Sequence, residues 1–241
     1  MNVLWIPGWS IPFDRWKELC SPFQKAELEG MFIDFRACQR REDFLQLVLD
    51  TIDGHQGEWL LAGWSMGSMI AIEAATLRKA RVKGLFLLSS GLQFSQSDHH
   101  PGGIPLAVIR HMSRQLKRNR TDTLTSFYEQ MFSESEKSHG LDQAFLQTLE
   151  AGDPFYHWQN ESLIAGLDYL ANVQLLQGWP TVSVPITWIH GSDDTICPSP
   201  ASGLFSPSKR LIIVEGAGHV PFYTQDSVVI NAWEELLGNV Y

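Results

Sequence analysis

Short continuous apolar runs alternate along the chain with stretches in which apolar side chains recur every three or four residues. The runs at 2–6, 30–35, 59–63, 82–89, 185–190 and 210–215 are apolar on both faces and predict buried strands. Residues 42–52 place Phe44, Leu45, Val48, Leu49 and Ile52 at helical spacing, and 68–77 reads as a helix rich in small side chains. Residues 16–19 form a short helix or turn, and 227–237 is a last helix closed by Gly238. Strands that alternate with helices and carry two apolar faces predict an α/β fold, with about six mainly parallel strands and helices on both faces. From 92 to 181 only helical patterns remain, at 104–119, 122–132, 142–151 and 160–172, with Asp122 and Asn160 as N-caps and Gly152 as a stop. The organisation expected is a core of residues 1–91 and 182–241 with a helical lid, 92–181, inserted over the C-terminal ends of the strands, where such sheets bind ligands.

Composition narrows the classes. A chain of 241 residues, 44% hydrophobic and 19% charged, suits one globular core, with or without an insertion. A formal net charge of −9 argues against a general nucleic-acid binder. Cys20, Cys38 and Cys197 have unrelated spacings that match neither a metal site nor a disulfide framework, which fits a reducing, cytoplasmic setting. The N-terminus lacks the basic flank and long apolar core of a signal peptide, and no apolar run reaches membrane-spanning length. The expectation is a cytoplasmic monomer without nucleic-acid or membrane partners.

The candidate chemistry begins at Gly63-Trp64-Ser65-Met66-Gly67, between a predicted strand and a predicted helix. That is the context of a nucleophile elbow, in which the serine occupies a strained turn and the flanking glycines avoid collisions with neighbouring backbone. A serine nucleophile needs a base, and the base needs an orienting acid. Of the eight histidines, only His219 follows the last strand, in the glycine-flanked turn Gly216-Ala217-Gly218-His219. The preceding strand ends at Gly191-Ser192-Asp193-Asp194, which leaves two adjacent carboxylates as the acid.

On these motifs the whole chain resembles the α/β-hydrolases, in which serine, acid and histidine follow in this order. The resemblance implies the α/β-hydrolase fold and assigns the acid to Asp194, four residues before Pro198, with Asp193 as the alternative. It also implies an oxyanion hole made by the backbone N–H groups of Met66, after the nucleophile, and Trp9, after Pro7-Gly8, where Pro7 stands in place of the family's usual histidine. The elbow, Gly8-Trp9 and Gly166-Leu167-Asp168-Tyr169-Leu170 are similar to the pimeloyl-acyl-carrier-protein methyl ester esterases of biotin synthesis. That similarity implies a serine carboxylesterase acting on an acyl ester with no metal or organic cofactor. The alternatives are an acyl-carrier-protein thioesterase, a general short-chain carboxylesterase, a menaquinone-pathway lyase or a non-catalytic hydrolase-fold binder. The indoles of Trp9 and Trp64, with Phe127, Tyr128 and Phe132, are candidates to line an acyl pocket or to pack the interior. Arg110, Arg114, Lys117 and Arg118, with Arg120, crowd one predicted helix and its end, and no acidic residue occurs from His99 to Thr121. In so acidic a chain this row is a candidate surface for an acidic acyl carrier protein, or else a solvated helix face.

Overall fold

The computed structural model describes residues 1–197 and 209–240; Pro198, the expected turn proline, lies outside them. Among the described residues six strands, β1 (Asn2–Ile6), β2 (Glu29–Phe32), β3 (Trp59–Trp64), β4 (Val82–Leu88), β5 (Ile186–Gly191) and β6 (Lys209–Val214), form one sheet in the order β2-β1-β3-β4-β5-β6. Every pairing is parallel. The strand order reverses between β1 and β3, where Ile6 lies opposite Gly63, and open parallel sheets bind ligands beyond the C-terminal ends of the strands at such a reversal.

Side chains alternate across the sheet as the strand period requires. Trp59 and Leu61 of β3 join one core with Phe44, Val48, Ile70 and Trp188, whereas Leu60, Ala62 and Trp64 join the other with Trp5, Phe86 and Trp233. Helix α1 (Phe13–Leu19) belongs to the second core, and α2 (Arg41–Gly54) and α3 (Met66–Leu77) cover the first.

Five helices are inserted between β4 and β5: α4 (Leu106–Arg118), α5 (Arg120–Glu129), α6 (Glu134–Ser138), α7 (Leu141–Glu150) and α8 (Asn160–Asn172). The block divides its apolar side chains between the two cores. Ile109, Leu116, Leu163 and Tyr169 from α4 and α8 extend the first, and Tyr128 and Phe145 from α5 and α7 extend the second. Phe94, Leu124 and Phe127 pack against both, so the block straddles the edge of the sheet. The short helix α9 (Pro221–Thr224) and the long α10 (Asp226–Val240) complete the second face.

Several element ends differ from expectation. Asn119, not Asp122, caps α5: its side chain accepts the N–H of Asp122 at 3.3 Å, and its extended backbone separates α4 from α5. Gln159 rather than Asn160 holds the N-cap of α8. Gly238 does not end α10, because Leu237 and Val240 still pack on the second core and hold the last turn. Helix α6 was not expected at all, although Ser133 and Glu136 cap it reciprocally. Among the described residues no helix is long and apolar enough to cross a membrane.

Candidate active site

Three non-glycine residues among those described have left-handed backbone: Ser10, Ser65 and Ser89. Each lies just past the C-terminal end of a strand, β1, β3 or β4. Such strain costs of order 1–3 kcal/mol per residue and gathers where a site over-determines its geometry. Ser65 (φ 55°, ψ −119°) is the junction between β3 and α3. A Cβ on Gly67 would strike the carbonyls of Ile6 and Pro7, and one on Gly63 would lie 2.5 Å from the Gly67 carbonyl, so both glycines are sterically required. Ser68 completes the turn, its hydroxyl donating to Gly63 O (2.6 Å) and accepting from Leu88 N (3.1 Å).

The two candidate partners meet. His219 Nδ1 lies 2.7 Å from Asp194 Oδ2, and both side chains are fully shielded from solvent. Asp194 Oδ1 accepts the backbone N–H groups of Ile196 (2.9 Å) and Cys197 (3.0 Å). Burial alone would raise the carboxyl's pKa, but His219, His190 and these backbone donors outweigh it and hold Asp194 below its ordinary value. An ionised Asp194 accepts only, so the Nδ1 proton is fixed and Nε2 is the basic nitrogen. That Nε2 is buried and has no hydrogen-bond partner among the described residues. The imidazole lies 5.7 Å, centroid to centroid, from the Trp64 ring, whose Nε1 donates to His219 O at 3.0 Å. The base is thereby tied to the residue next to Ser65. Asp193 is exposed, and its carboxylate accepts the Ser192 hydroxyl (2.9 Å) instead.

His190 also approaches Asp194, its Nε2 at 3.4 Å from Oδ2 and 2.8 Å from the Cys197 carbonyl. Burial, opposed by Asp194 and the Cys197 carbonyl, pushes its pKa down, and the ring packs as a buttress of the turn that carries Asp194. Sequence reading placed His190 only at a strand end; its contacts come from the tight turn that follows β5, which folds Asp194 and Cys197 back onto the ring. Among the described residues no three His, Cys, Asp or Glu side chains gather to hold a metal ion.

Residues 3–232 match the Alpha/beta hydrolase family. The chain belongs to that family. It is 28% identical over 98% of its length to the pimeloyl-[acyl-carrier protein] methyl ester esterase of Nitrosomonas europaea, of which it covers 95%. It is 25% identical over 95% of its length to the protein of the same name from Pseudoalteromonas atlantica, covering 92% of that one. Among solved structures, an esterase from Exiguobacterium antarcticum superposes on 100% of this chain and 91% of its own, with a TM-score of 0.82 at 21% identity.

In this α/β hydrolase, Met66 opens α3, where backbone N–H groups lack intrahelical partners, and Trp9 lies in the turn after β1 that packs on the elbow. The Trp9 indole is 2% exposed, donates Nε1 to Leu163 O (2.8 Å) and meets Phe127 edge-on at 4.9 Å. A Cβ on Gly166 would lie 2.5 Å from Trp9 Cδ1, and Tyr169 donates to Glu73 Oε2 of α3 at 3.0 Å. The Gly-Leu-Asp-Tyr-Leu stretch therefore seats the Trp9 turn and fastens α8 to α3.

The remaining expected pocket residues separate. Trp64 has no exposed surface and lies under the His219 turn. Phe132 is buried against Phe145 and Tyr223. Phe127 lines a groove of about 400 Å³ between α4 and α5, with Val108 and Met112. Tyr128 donates to Ser10 O (3.1 Å) and lines a smaller cleft, about 160 Å³, beside Ser10 and Arg120. Arg110, Arg114, Lys117 and Arg118 are all exposed and have no acidic partner among the described residues. Arg120 differs: it donates to Asn160 Oδ1 (3.0 Å) and Trp158 O (2.6 Å) and serves the fold.

Proposed function

We propose that the protein is a serine carboxylesterase that hydrolyses an acyl ester, the methyl ester of pimeloyl-acyl carrier protein in biotin synthesis. The observation that carries the catalytic reading is the 2.7 Å bond from His219 Nδ1 to Asp194 Oδ2, made by a histidine bonded through its backbone to the neighbour of Ser65. Ser65 attacks the ester carbonyl while His219 Nε2 accepts its proton, and Asp194 stabilises the imidazolium that forms. The N–H groups of Met66 and Trp9 stabilise the tetrahedral oxyanion, where two such donors are worth several kcal/mol. His219 then gives that proton to the departing methoxide, which leaves as methanol, and activates the water that hydrolyses the acyl-enzyme and releases the acid.

The substrate assignment rests on the similarity to the two named esterases and on the basic row of α4. Arg110, Arg114 and Arg118 recur every fourth residue, so they share one helix face of α4, whose Val108, His111, Met112 and Gln115 line the α4–α5 groove. An acidic carrier protein docked on that face would lay its acyl arm along Val108, Met112 and Phe127 towards Trp9, with the inserted block acting as lid. Three buried free thiols accord with a reducing cytoplasm.

The test is steady-state hydrolysis of pimeloyl-carrier-protein methyl ester beside short aryl esters and an acyl-carrier-protein thioester. Efficient turnover of the methyl ester that disappears in Ser65→Ala supports the assignment. Preference for the thioester, or turnover of aryl esters alone, replaces it with a thioesterase or a general carboxylesterase.

A further inference from the structure

The unexpected helix α6 carries a buried carboxylate that a helix cap does not require. Glu136 is 6% exposed, and its Oε2 accepts two backbone N–H groups: Ser133 at 2.8 Å, which completes the cap, and Gly218 at 3.0 Å, immediately before His219. Its Oε1 is buried without a partner, and no cation pairs with it among the described residues. A capping glutamate ordinarily stays at the surface, since burying an uncompensated carboxylate is unfavourable. Here burial brings the carboxylate to the histidine turn.

The rest of the segment converges on the same place. Met131 O accepts the N–H of His219 (2.6 Å), the Ser133 hydroxyl donates to Gly216 O (2.8 Å), and Gln130 O accepts the Thr195 hydroxyl beside the acid (3.2 Å). A Cβ on Gly218 would lie 2.9 Å from Ser133 N and closer still to Met131 O, so only glycine admits this approach. Residues 130–136 of the inserted block therefore hold the turns of both His219 and Asp194.

We propose that Glu136 is a positioning residue for His219: through Gly218 it fixes the imidazole between Asp194 and Ser65, so the inserted block is part of the catalytic scaffold. The proposal rests on the Ser65–His219–Asp194 reading. It adds that a group touching neither substrate nor reacting atoms sets the geometry of proton transfer, to which rates are steeply sensitive.

The experiment compares Glu136→Gln, Glu136→Ala and Glu136→Asp with wild type and with Glu134→Gln, an exposed neighbour on the same helix. All are assayed on p-nitrophenyl acetate below each protein's melting midpoint. Fluorophosphonate labelling of Ser65 and the low-field proton resonance of His219 Nδ1–H are followed in parallel. The expected result is a fall in kcat of about tenfold for Gln and about 100-fold for Ala, with KM within about twofold and partial rescue by Asp. Labelling slows by the same factors, the resonance broadens, and Glu134→Gln matches wild type. Folded Gln and Ala variants with kcat and labelling within about twofold of wild type overturn the proposal. Loss of fold in both also overturns it, in favour of a structural role. A wild type that neither turns over nor labels removes the triad reading itself, and this one with it.

Discussion

Ser65 is positioned by its immediate neighbours Gly63, Gly67 and Ser68, whereas the turn of His219 is gripped by a segment 82 positions earlier in the chain. Both halves lie past the C-terminal ends of strands in one parallel sheet, and the proposed acyl transfer calls on both. The elbow is largely local: Gly63 and Ser68 act within the turn itself, and its distant partners are the Ile6 and Pro7 carbonyls beside Gly67 and the N–H of Leu88 beside Ser68. Asp194 is held partly within its own turn, by the N–H groups of Ile196 and Cys197 and by His190, whereas the turn of His219 takes its bonds from the helical block inserted between β4 and β5. The comparison teaches that an insertion read as a cover over the site can also be a support for it.

That contrast can be broken or sharpened by substitution. Ser65→Ala should lower kcat by about 10⁵-fold or more, with a melting midpoint close to wild type because the loop keeps both glycines; ordinary ester turnover in the purified variant would remove Ser65 from the chemistry. Asp194→Asn should lower kcat by about 10³ to 10⁴-fold at nearly constant KM, since the amide favours the wrong imidazole tautomer. The same carboxylate supplies a pH test. Its folded pKa lies below the unfolded 3.8, so its stabilisation is full above that value and is lost only as pH falls through the lower folded one. Acid unfolding followed by circular dichroism should accordingly show a steeper limb below pH 3.8 in wild type than in Asp194→Asn.

Gly67→Ala probes the local half, where a methyl group meets two backbone carbonyls that cannot retreat. A loss of about 3 kcal/mol in chemical denaturation, or failure to fold, is expected, and a stable, active variant would show that the elbow is held from elsewhere. Reversing Arg114 and Arg118 to Glu should cut kcat/KM for the carrier-bound ester about tenfold at low salt while leaving p-nitrophenyl acetate unaffected. Equal effects on both substrates would return the basic face to solvation. The smallest effect belongs to Glu73, whose pKa burial raises against the opposing Tyr169 hydrogen bond. Its ionised form is disfavoured in the fold, so Glu73→Gln should gain up to about 1 kcal/mol at pH 7, roughly 2–4 °C in melting midpoint. The gain should vanish below the unfolded value of 4.5, where both forms are neutral.

Six strands, their parallel sense and the elbow were legible in the sequence, because each rests on short-range rules: apolar runs for buried strands, a strained serine between glycines for the turn. His219 and an aspartate at 193 or 194 were legible as candidates by position after strands. The pairing of Asp194 with His219 was not, since adjacent residues differ only in which way the turn faces them, and that follows from the packing of the β5 and β6 turns. Likewise Trp64 reads as a pocket wall beside the nucleophile, yet alternation along β3 sends it into the second core. Ser133-x-x-Glu136 went unread as the start of α6, and no local pattern records that the same carboxylate reaches Gly218. By itself the sequence determined the six strands, most of the helices and the serine turn between β3 and α3, because backbone sterics and hydrophobic periodicity act between near neighbours. Only the tertiary structure decided which aspartate meets His219 and what holds that turn, because those bonds join segments that folding alone brings together.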